Sequence, residues 1–325
     1  MKSFKVTKND AGKRLDRFVE KICPTMPSSL LYRFIRTKHI KVNGKKSEIS
    51  YRLCEGDEVR AFINDEFFTP VTPKYDFLSS PADIDVVYED ENVIFVNKPQ
   101  GLIVHPDKNE YRDTLIGRIQ HYLYKNGEYD PEAENSFKPA LANRIDRNTC
   151  GIVMAAKNSE ALRILCDKIK MREIDKRYLC IVHGTPKKRS DIIESFIEKN
   201  EDKNRVYVSG RKTDKNRTAK TRYRVLQSRD GLSLLEVELL TGRTHQIRAQ
   251  MASIGHPLLG DGKYGTLKED KKKGFNKQAL CSYKLSFRFD TPAGELDYLN
   301  GKTFSLKEVW FADNLFGSGY KKNLQ

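Results

Sequence analysis

The sequence contains no run of about 18 apolar residues, so it offers no candidate membrane-spanning helix. Its first residues, Met1-Lys2-Ser3-Phe4-Lys5-Val6, lack the apolar stretch of a signal peptide, and a cytoplasmic protein is expected. The six cysteines are scattered with no C-x-x-C pair, which argues against a zinc ribbon or a disulfide framework, and no metal is expected. The glycine-rich stretch Gly255-His256-Pro257-Leu258-Leu259-Gly260-Asp261-Gly262-Lys263-Tyr264-Gly265 matches neither a P-loop nor G-x-G-x-x-G, so a nucleotide cofactor gains no support. A basic amphipathic helix with a large apolar face is also missing, which leaves a membrane surface unsupported as a partner.

What is present is positive charge. The 325 residues carry 59 Lys and Arg against 44 Asp and Glu, a net charge of +15, and such an excess points to a polyanionic partner, nucleic acid first. With 38% hydrophobic and 32% charged residues the chain is that of a soluble globular protein, long enough for about two domains.

Residues 1–64 read as a small basic unit. Leu15, Phe18, Val19 and Ile22 recur with helical spacing until Pro24 and Pro27 intervene; Ser28 or Ser29 can cap a second helix that turns Leu30, Leu31, Phe34 and Ile35 inward. Arg33, Arg36 and Lys38 then share a polar face near Tyr32, which fits RNA contact and a solvated face equally. Asn43-Gly44 marks a hairpin turn, with a return through Gly56-Asp57 to Val59-Arg60-Ala61-Phe62-Ile63. Residues 65–82, with Pro70, Pro73 and Pro81, read as a linker, and residues 83–325 as a larger unit.

In that unit Val86-Val87-Tyr88 and Val93-Ile94-Phe95-Val96 suggest a hairpin, followed by the irregular turn Lys98-Pro99-Gln100-Gly101, a common place for substrate contacts. His105, between Val104 and Pro106, also fits a hydrogen-bonded structural role. Leu115, Ile119 and Tyr122 mark a helix, and residues 124–139 an exposed loop. Leu162, Leu165, Cys166 and Ile169 mark another helix, and the alternation of 176–182 places Tyr178, Cys180 and Val182 on one face of a strand, where Tyr178 alone fits a core aromatic. Residues 199–222 are rich in Lys and Arg with few apolar anchors and read as a mobile hairpin or loop. Leu235 to Leu239 is a half-buried strand ending at Thr241-Gly242-Arg243-Thr244-His245-Gln246-Ile247-Arg248, where a helix starts and Arg243 with exposed backbone N–H groups suits a phosphate clamp. Many short strands with few helices between them predict an α+β fold on a mixed, largely antiparallel sheet.

One stretch organises the rest. In Asn143-Arg144-Ile145-Asp146-Arg147-Asn148-Thr149-Cys150-Gly151, a loop leads into the apolar strand 152–156, holding Asp146 between two arginines. Neighbouring positive charge favours a carboxylate over its acid, which suits a nucleophile; alone, the stretch also fits an exposed ion pair.

Together these motifs resemble the RluA family of pseudouridine synthases. The likeness rests on Lys98-Pro99-Gln100-Gly101 with Val104-His105-Pro106, on Arg144-Ile145-Asp146 with Thr149-Cys150-Gly151, on Lys176-Arg177-Tyr178, and on Thr241 to Arg248 followed by Gly260-Asp261 and Tyr264-Gly265. Residues 11–63 resemble the S4 (αL) RNA-binding domain through Ala11-Gly12-Lys13-Arg14-Leu15-Asp16, Arg33-Phe34-Ile35-Arg36, Lys41-Val42-Asn43-Gly44-Lys45 and Glu55-Gly56-Asp57-Glu58-Val59. The resemblance implies a monomeric, cofactor-free isomerase of uridine in RNA, foremost large-subunit ribosomal RNA. It makes Asp146 the nucleophile, Tyr178 the residue packed on uracil and a candidate for the C5 proton, and Arg248 the partner of Asp146. Arg144 would help hold the flipped nucleotide, with Arg243, Thr149, His105 and Lys98 as further substrate contacts and Arg33, Arg36 and Lys38 as RNA contacts. The chain departs from the family pattern at Asn143, where His is usual, at Ile145 for Leu, at Cys150 for Ser, and at Leu280-Cys281-Ser282 for Leu-His-Ala. The rival readings are an S4-type RNA-binding protein with lost activity, a nucleoside hydrolase, and a synthase acting on tRNA.

Overall fold

The helical spacing near the N-terminus is realised in a computed structural model that describes residues 1–69, 74–200, 205–265 and 267–324. Leu15, Phe18, Val19 and Ile22 form the buried face of α1 (Leu15–Ile22), and Leu31 and Ile35 that of α2 (Ser28–Arg36). The cap expected from Ser28 or Ser29 is not made. Pro27 is the N-cap, without a side-chain bond, and its ring holds φ at −60° for the turn that follows. Both helices cover a three-stranded antiparallel sheet of β1 (Lys2–Lys5), β2 (Ile40–Val42) and β3 (Glu58–Ala61), with β3 in the middle. Asn43 and Gly44 take φ of 51° and 74°, the paired positive values of a tight hairpin turn.

Phe67 and Phe68 pack on this small core, and Phe77 is buried in the larger one, so both ends of the stretch read as a linker are packed. Its Pro70 and Pro73 lie outside the described residues.

The larger unit is built on one sheet. Its strands are β4 (Val86–Glu89), β5 (Val93–Lys98), β6 (Ala140–Leu141), β7 (Cys150–Ala156), β8 (Ile174–His183), β9 (Ser190–Asn200), β10 (Arg205–Ser209), β11 (Arg217–Arg229), β12 (Leu232–Leu239), β13 (Leu280–Phe287) and β14 (Thr303–Ser305). The order is β10-β9-β11-β12-β8-β13-β7-β5-β4, with β14 on β13 and β6 on β7. Among the described residues every pairing is antiparallel except that of β7 with β13, so the sheet is the mixed, largely antiparallel one expected. Four helices pack around it: α3 (Leu115–Lys125), α4 (Ser159–Met171), α5 (Gln246–Ser253) and, after the short α6 (Leu267–Lys272), α7 (Trp310–Phe316). Among the described residues no helix is long and apolar enough to cross a membrane.

Three local expectations are corrected. Residues 199–222, read as a mobile hairpin or loop, hold the antiparallel pair β9 and β10 and the start of β11, so the hairpin stands and the loop does not: Ala219 and Thr221 face inward, and such small or hydroxylated residues fill a strand face that composition alone makes look polar. Residues 201–204 lie outside the described residues. The strand at 235–239 is not half-buried, because Leu232 to Val237 are covered on both faces. The loop at 124–139 is not simply exposed. Tyr129 and Phe137 are buried in it, and its tip docks the N-terminal unit: Asp10, fully buried, accepts from Asn135 Nδ2 at 2.8 Å, from Lys13 Nζ at 3.2 Å and from Ser136 Oγ. Asn9 Oδ1 accepts the Ser159 N–H at the start of α4 at 3.0 Å.

The parallel joint of β7 and β13 places the loop before β7 beside the segment before β13. Gly151 sits at the closest approach, with φ of 110°; a Cβ there would lie 2.3 Å from the Ser282 carbonyl oxygen, so only glycine fits.

Removing the Asp10 carboxylate strands part-buried donors on Thr7, Lys13, Asn135 and Ser136. Asp10→Ala is expected to lower stability by about 2–4 kcal/mol and to raise amide hydrogen exchange across 132–136 selectively, which thermal melts and exchange mass spectrometry will read.

Candidate active site

Asp146 stands in the loop between β6 and β7, its carbonyl accepting from Thr149 N–H at 3.0 Å to close a turn. The loop is braced from beneath by Lys98, read from sequence as a substrate contact. That role is corrected: Lys98 has no exposed surface, and its ammonium donates to the carbonyls of Pro99, Leu102 and Arg147 at 2.9, 2.7 and 2.9 Å. Burial pushes its pKa down to about 7, while three carbonyls crowd the ammonium as acceptors. The Arg147 carbonyl also accepts from Gly101 N–H at 2.9 Å, and Gln100 Nε2 donates to the Gln278 carbonyl at 2.8 Å. The turn at 98–101 is thus a brace between the Asp146 loop and the approach to β13.

The partner of Asp146 is neither flanking arginine. Arg248 Nη1 donates to Asp146 Oδ2 at 2.9 Å across 102 residues of sequence, while its Nε and Nη2 grip Asp261 at 2.7 and 2.9 Å. Asp261 is fully buried and also accepts the N–H groups of Lys263 and Tyr264. Burial opposes both charges, but the pairing prevails: Arg248 is held above the ordinary arginine range and Asp261 below the ordinary carboxylate range. Asp146 keeps 26% of its side chain exposed against 8% for Arg248, so the carboxylate faces the pocket and its cation lies behind.

Helix α5 delivers Arg248 while buried almost all round, and two glutamines anchor it. Gln246 accepts from Thr241 Oγ1 and Arg243 N–H and donates to the Lys220 carbonyl and Thr221 Oγ1 at 2.8–3.0 Å. Gln250 Nε2 donates to Ser195 Oγ at 2.8 Å and the Ala219 carbonyl at 3.0 Å. The backbone N–H of Arg243, expected to be open for phosphate, is therefore taken by Gln246, and its Nε donates to the Thr218 carbonyl at 3.2 Å.

These groups line a pocket of about 300 Å³ that brings together Asp146, Tyr178, Arg248, Arg144, Arg243 and Thr149. Tyr178, Ile247, Leu239 and Leu280 supply apolar walls, and Tyr178, Cys180 and Val182 share the face of β8 that the alternation predicts. Burial raises the Tyr178 phenol to about 12. His105 is not brought in; it stands exposed outside the lining, close enough to Arg144 to feel its charge. Arg33, Arg36 and Lys38 lie exposed together on the N-terminal unit. Two departures from the family pattern have structural work: Asn143 Oδ1 accepts the Met154 N–H at 2.8 Å, and Cys150 Sγ donates to the Leu280 carbonyl at 3.5 Å.

Sequence reasoning missed Asp261, His245 and Tyr264 as parts of the site. Tyr264 accepts the Val206 N–H at 2.9 Å, lies 3.0 Å from His245 Nδ1, and presents its ring to the Arg248 guanidinium at 5.3 Å. The other ring nitrogen of His245, Nε2, lies 3.9 Å from Asp146 Oδ2. All three fall within motifs already quoted; the available signal was that a buried Arg248 needs a second carboxylate nearby.

A family model for RNA pseudouridylate synthase matches residues 92–253. The chain is 31% identical to an uncharacterised RNA pseudouridine synthase of Bacillus subtilis over 88% of this chain and 90% of that one. It is 30% identical to the ribosomal large subunit pseudouridine synthase C of Vibrio vulnificus (88% and 87% covered), and 32% identical to synthase D of Neisseria meningitidis (85% and 72%). The solved structure of human RNA pseudouridylate synthase domain containing 4 shares the fold with a TM-score of 0.55, at 20% identity over 70% of this chain and 89% of that one.

Burial drives the His245 pKa from 6.5 down to about 4. Between those values the unfolded chain binds a proton that the folded chain refuses, so this histidine's contribution is complete above pH 6.5 and is lost as pH falls toward 4. Stability measured by denaturant titration from about pH 7 to about pH 4.5 is expected to fall less steeply in His245→Gln than in the unaltered protein.

Proposed function

The chain belongs to the RNA pseudouridylate synthase family, RluA type, and from that premise we propose that it isomerises uridine in large-subunit ribosomal RNA with Asp146 as nucleophile. The observation that carries the assignment is the Asp146 carboxylate facing an apolar-walled pocket while Arg248, itself clamped by Asp261, fixes it from behind. Large-subunit ribosomal RNA is favoured over tRNA because synthases C and D of that subunit are among the relatives matched over most of the chain.

Glycosidic isomerisation breaks the C1′–N1 bond, whose electron pair leaves with the base, and makes a C1′–C5 bond after the ring turns; C5 loses a proton and N1 gains one, so no redox partner enters. The target nucleotide must leave its stack to reach Asp146, and Arg144 at the pocket wall is suited to hold it there. Asp146, oriented by one charge-assisted bond, forms a C1′–O bond as C1′–N1 breaks and gives that bond up when C5 takes C1′, leaving the carboxylate as it began. Tyr178 walls the space for uracil. With its phenol raised to about 12 it keeps its proton at neutral pH, which favours packing on the ring over taking the C5 proton.

Residues 1–64 are proposed as an S4-like RNA-binding domain. Two helices on a small sheet with Arg33, Arg36 and Lys38 exposed together support that reading, since phosphate contacts need accessible cations on a rigid support.

Asp146→Asn preserves shape and removes the nucleophile. It is expected to fold, bind transcribed large-subunit ribosomal RNA and form no pseudouridine, assayed by mass tagging with free uracil measured alongside. An active variant removes Asp146 from the mechanism, free uracil from the unaltered enzyme indicates a hydrolase, and product on tRNA alone moves the substrate. Replacing Arg33, Arg36 and Lys38 together with glutamine should weaken RNA binding and flatten its dependence on log salt by about 0.7–0.9 for each phosphate no longer neutralised, with turnover at saturation preserved.

A further inference from the structure

A second cleft of about 550 Å³ adjoins the catalytic pocket and shares Arg248 with it. Its walls include Arg205, Tyr207, Lys263, Asn148, Asn276 and Gln278, with no carboxylate lining it among the described residues. The volume lies within the range of sites for small molecules, roughly 300–1,000 Å³. Asn148 is two residues beyond Asp146, so an occupant here is a near neighbour of whatever Asp146 attacks.

The sheet edge explains how this wall is made. Val206 is buried against Ile197, Ala219 and Ala249, so alternation along β10 turns Arg205 and Tyr207 together to the opposite side. Tyr207 is left 49% exposed, an aromatic that the core does not use, on an edge strand that carries it to the cleft. Arg205 stacks on the Tyr264 ring at 5.1 Å and Arg248 meets the same ring at 5.3 Å, so the edge strand is tied to the catalytic ensemble.

We propose that this cleft binds the single-stranded nucleotide next to the target uridine, its base stacked on Tyr207 and its phosphodiester held by Arg205 and Lys263. The proposal rests on the reading of the protein as an RNA-modifying enzyme. An exposed aromatic beside cations is the arrangement that holds unpaired nucleotides without reading their sequence. Stacking the neighbour here supports the backbone where the target has left its helix, a cost that flipping otherwise leaves uncompensated.

The test compares the unaltered enzyme with Tyr207→Ala, Tyr207→Phe and Arg205→Met. Pseudouridine formation is followed on transcribed large-subunit ribosomal RNA, and anisotropy binding of oligouridylate across a salt series is measured separately. Tyr207→Ala is expected to raise KM by roughly fivefold or more, with kcat within about twofold, and Tyr207→Phe to restore it because the ring is kept. Arg205→Met is expected to reduce the slope of log affinity against log salt by about 0.7. Unchanged KM and slope in these variants overturn the proposal, as does a fall in kcat at constant KM, which would make the cleft residues supports of Arg248. If the unaltered enzyme forms no pseudouridine yet Tyr207→Ala weakens oligouridylate binding, the catalytic reading fails and the cleft stands.

Discussion

The site depends on one guanidinium shared between two carboxylates. Arg248 is buried, and a buried charge left unpaired costs several kcal/mol, so Asp261 with its bidentate grip is the condition under which Arg248 can exist where it does. Asp146 takes the remaining Nη1 donor and keeps its open side toward the pocket. The division follows from burial: the inner carboxylate is closed off around Arg248, and the outer one, partly solvated, faces the pocket. Helix α5 can be polar and buried at once because Gln246 and Gln250 find partners on β9, β11 and the loop after β12, which fixes the rotation that aims Arg248.

The Asp146 loop has a second dependence, on Lys98. A lysine whose ammonium meets three backbone carbonyls replaces a stretch of secondary structure: it gathers the turn at 98–102 and the backbone at Arg147 around one cation. Together with Gln100 bound to Gln278, it joins three segments remote in sequence at the end of the sheet where β7 and β13 run side by side.

Much of this was legible in the sequence. Asp146, Tyr178 and Arg248 fall within contiguous motifs whose order identifies the family, and the alternation of 176–182 assigns Tyr178 to its face of β8 from local pattern alone. What was not legible depends on pairing across distance. Lys98 stands in a motif that reads as substrate contact, and only three-dimensional proximity shows carbonyls around it. The Lys- and Arg-rich run at 199–222 concealed strands because its inward positions are filled by Ala219 and Thr221, and strand β1 was invisible because four residues, most of them exposed, carry no period. Asp261 was in view as part of Gly260-Asp261, yet nothing local says that its partner lies 13 residues back on a helix.

The parallel joint sets an order of assembly. Cys150 pairs with Cys281, and the pocket wall includes Leu280, so the floor beneath Asp146 is incomplete until a strand near the end of the chain is in place. The N-terminal core, by contrast, is closed by contacts among residues 4–68. Local contacts form before distant ones because loop closure costs entropy. A chain emerging from synthesis therefore closes its small basic unit while the pocket that Asp146 faces still has no floor.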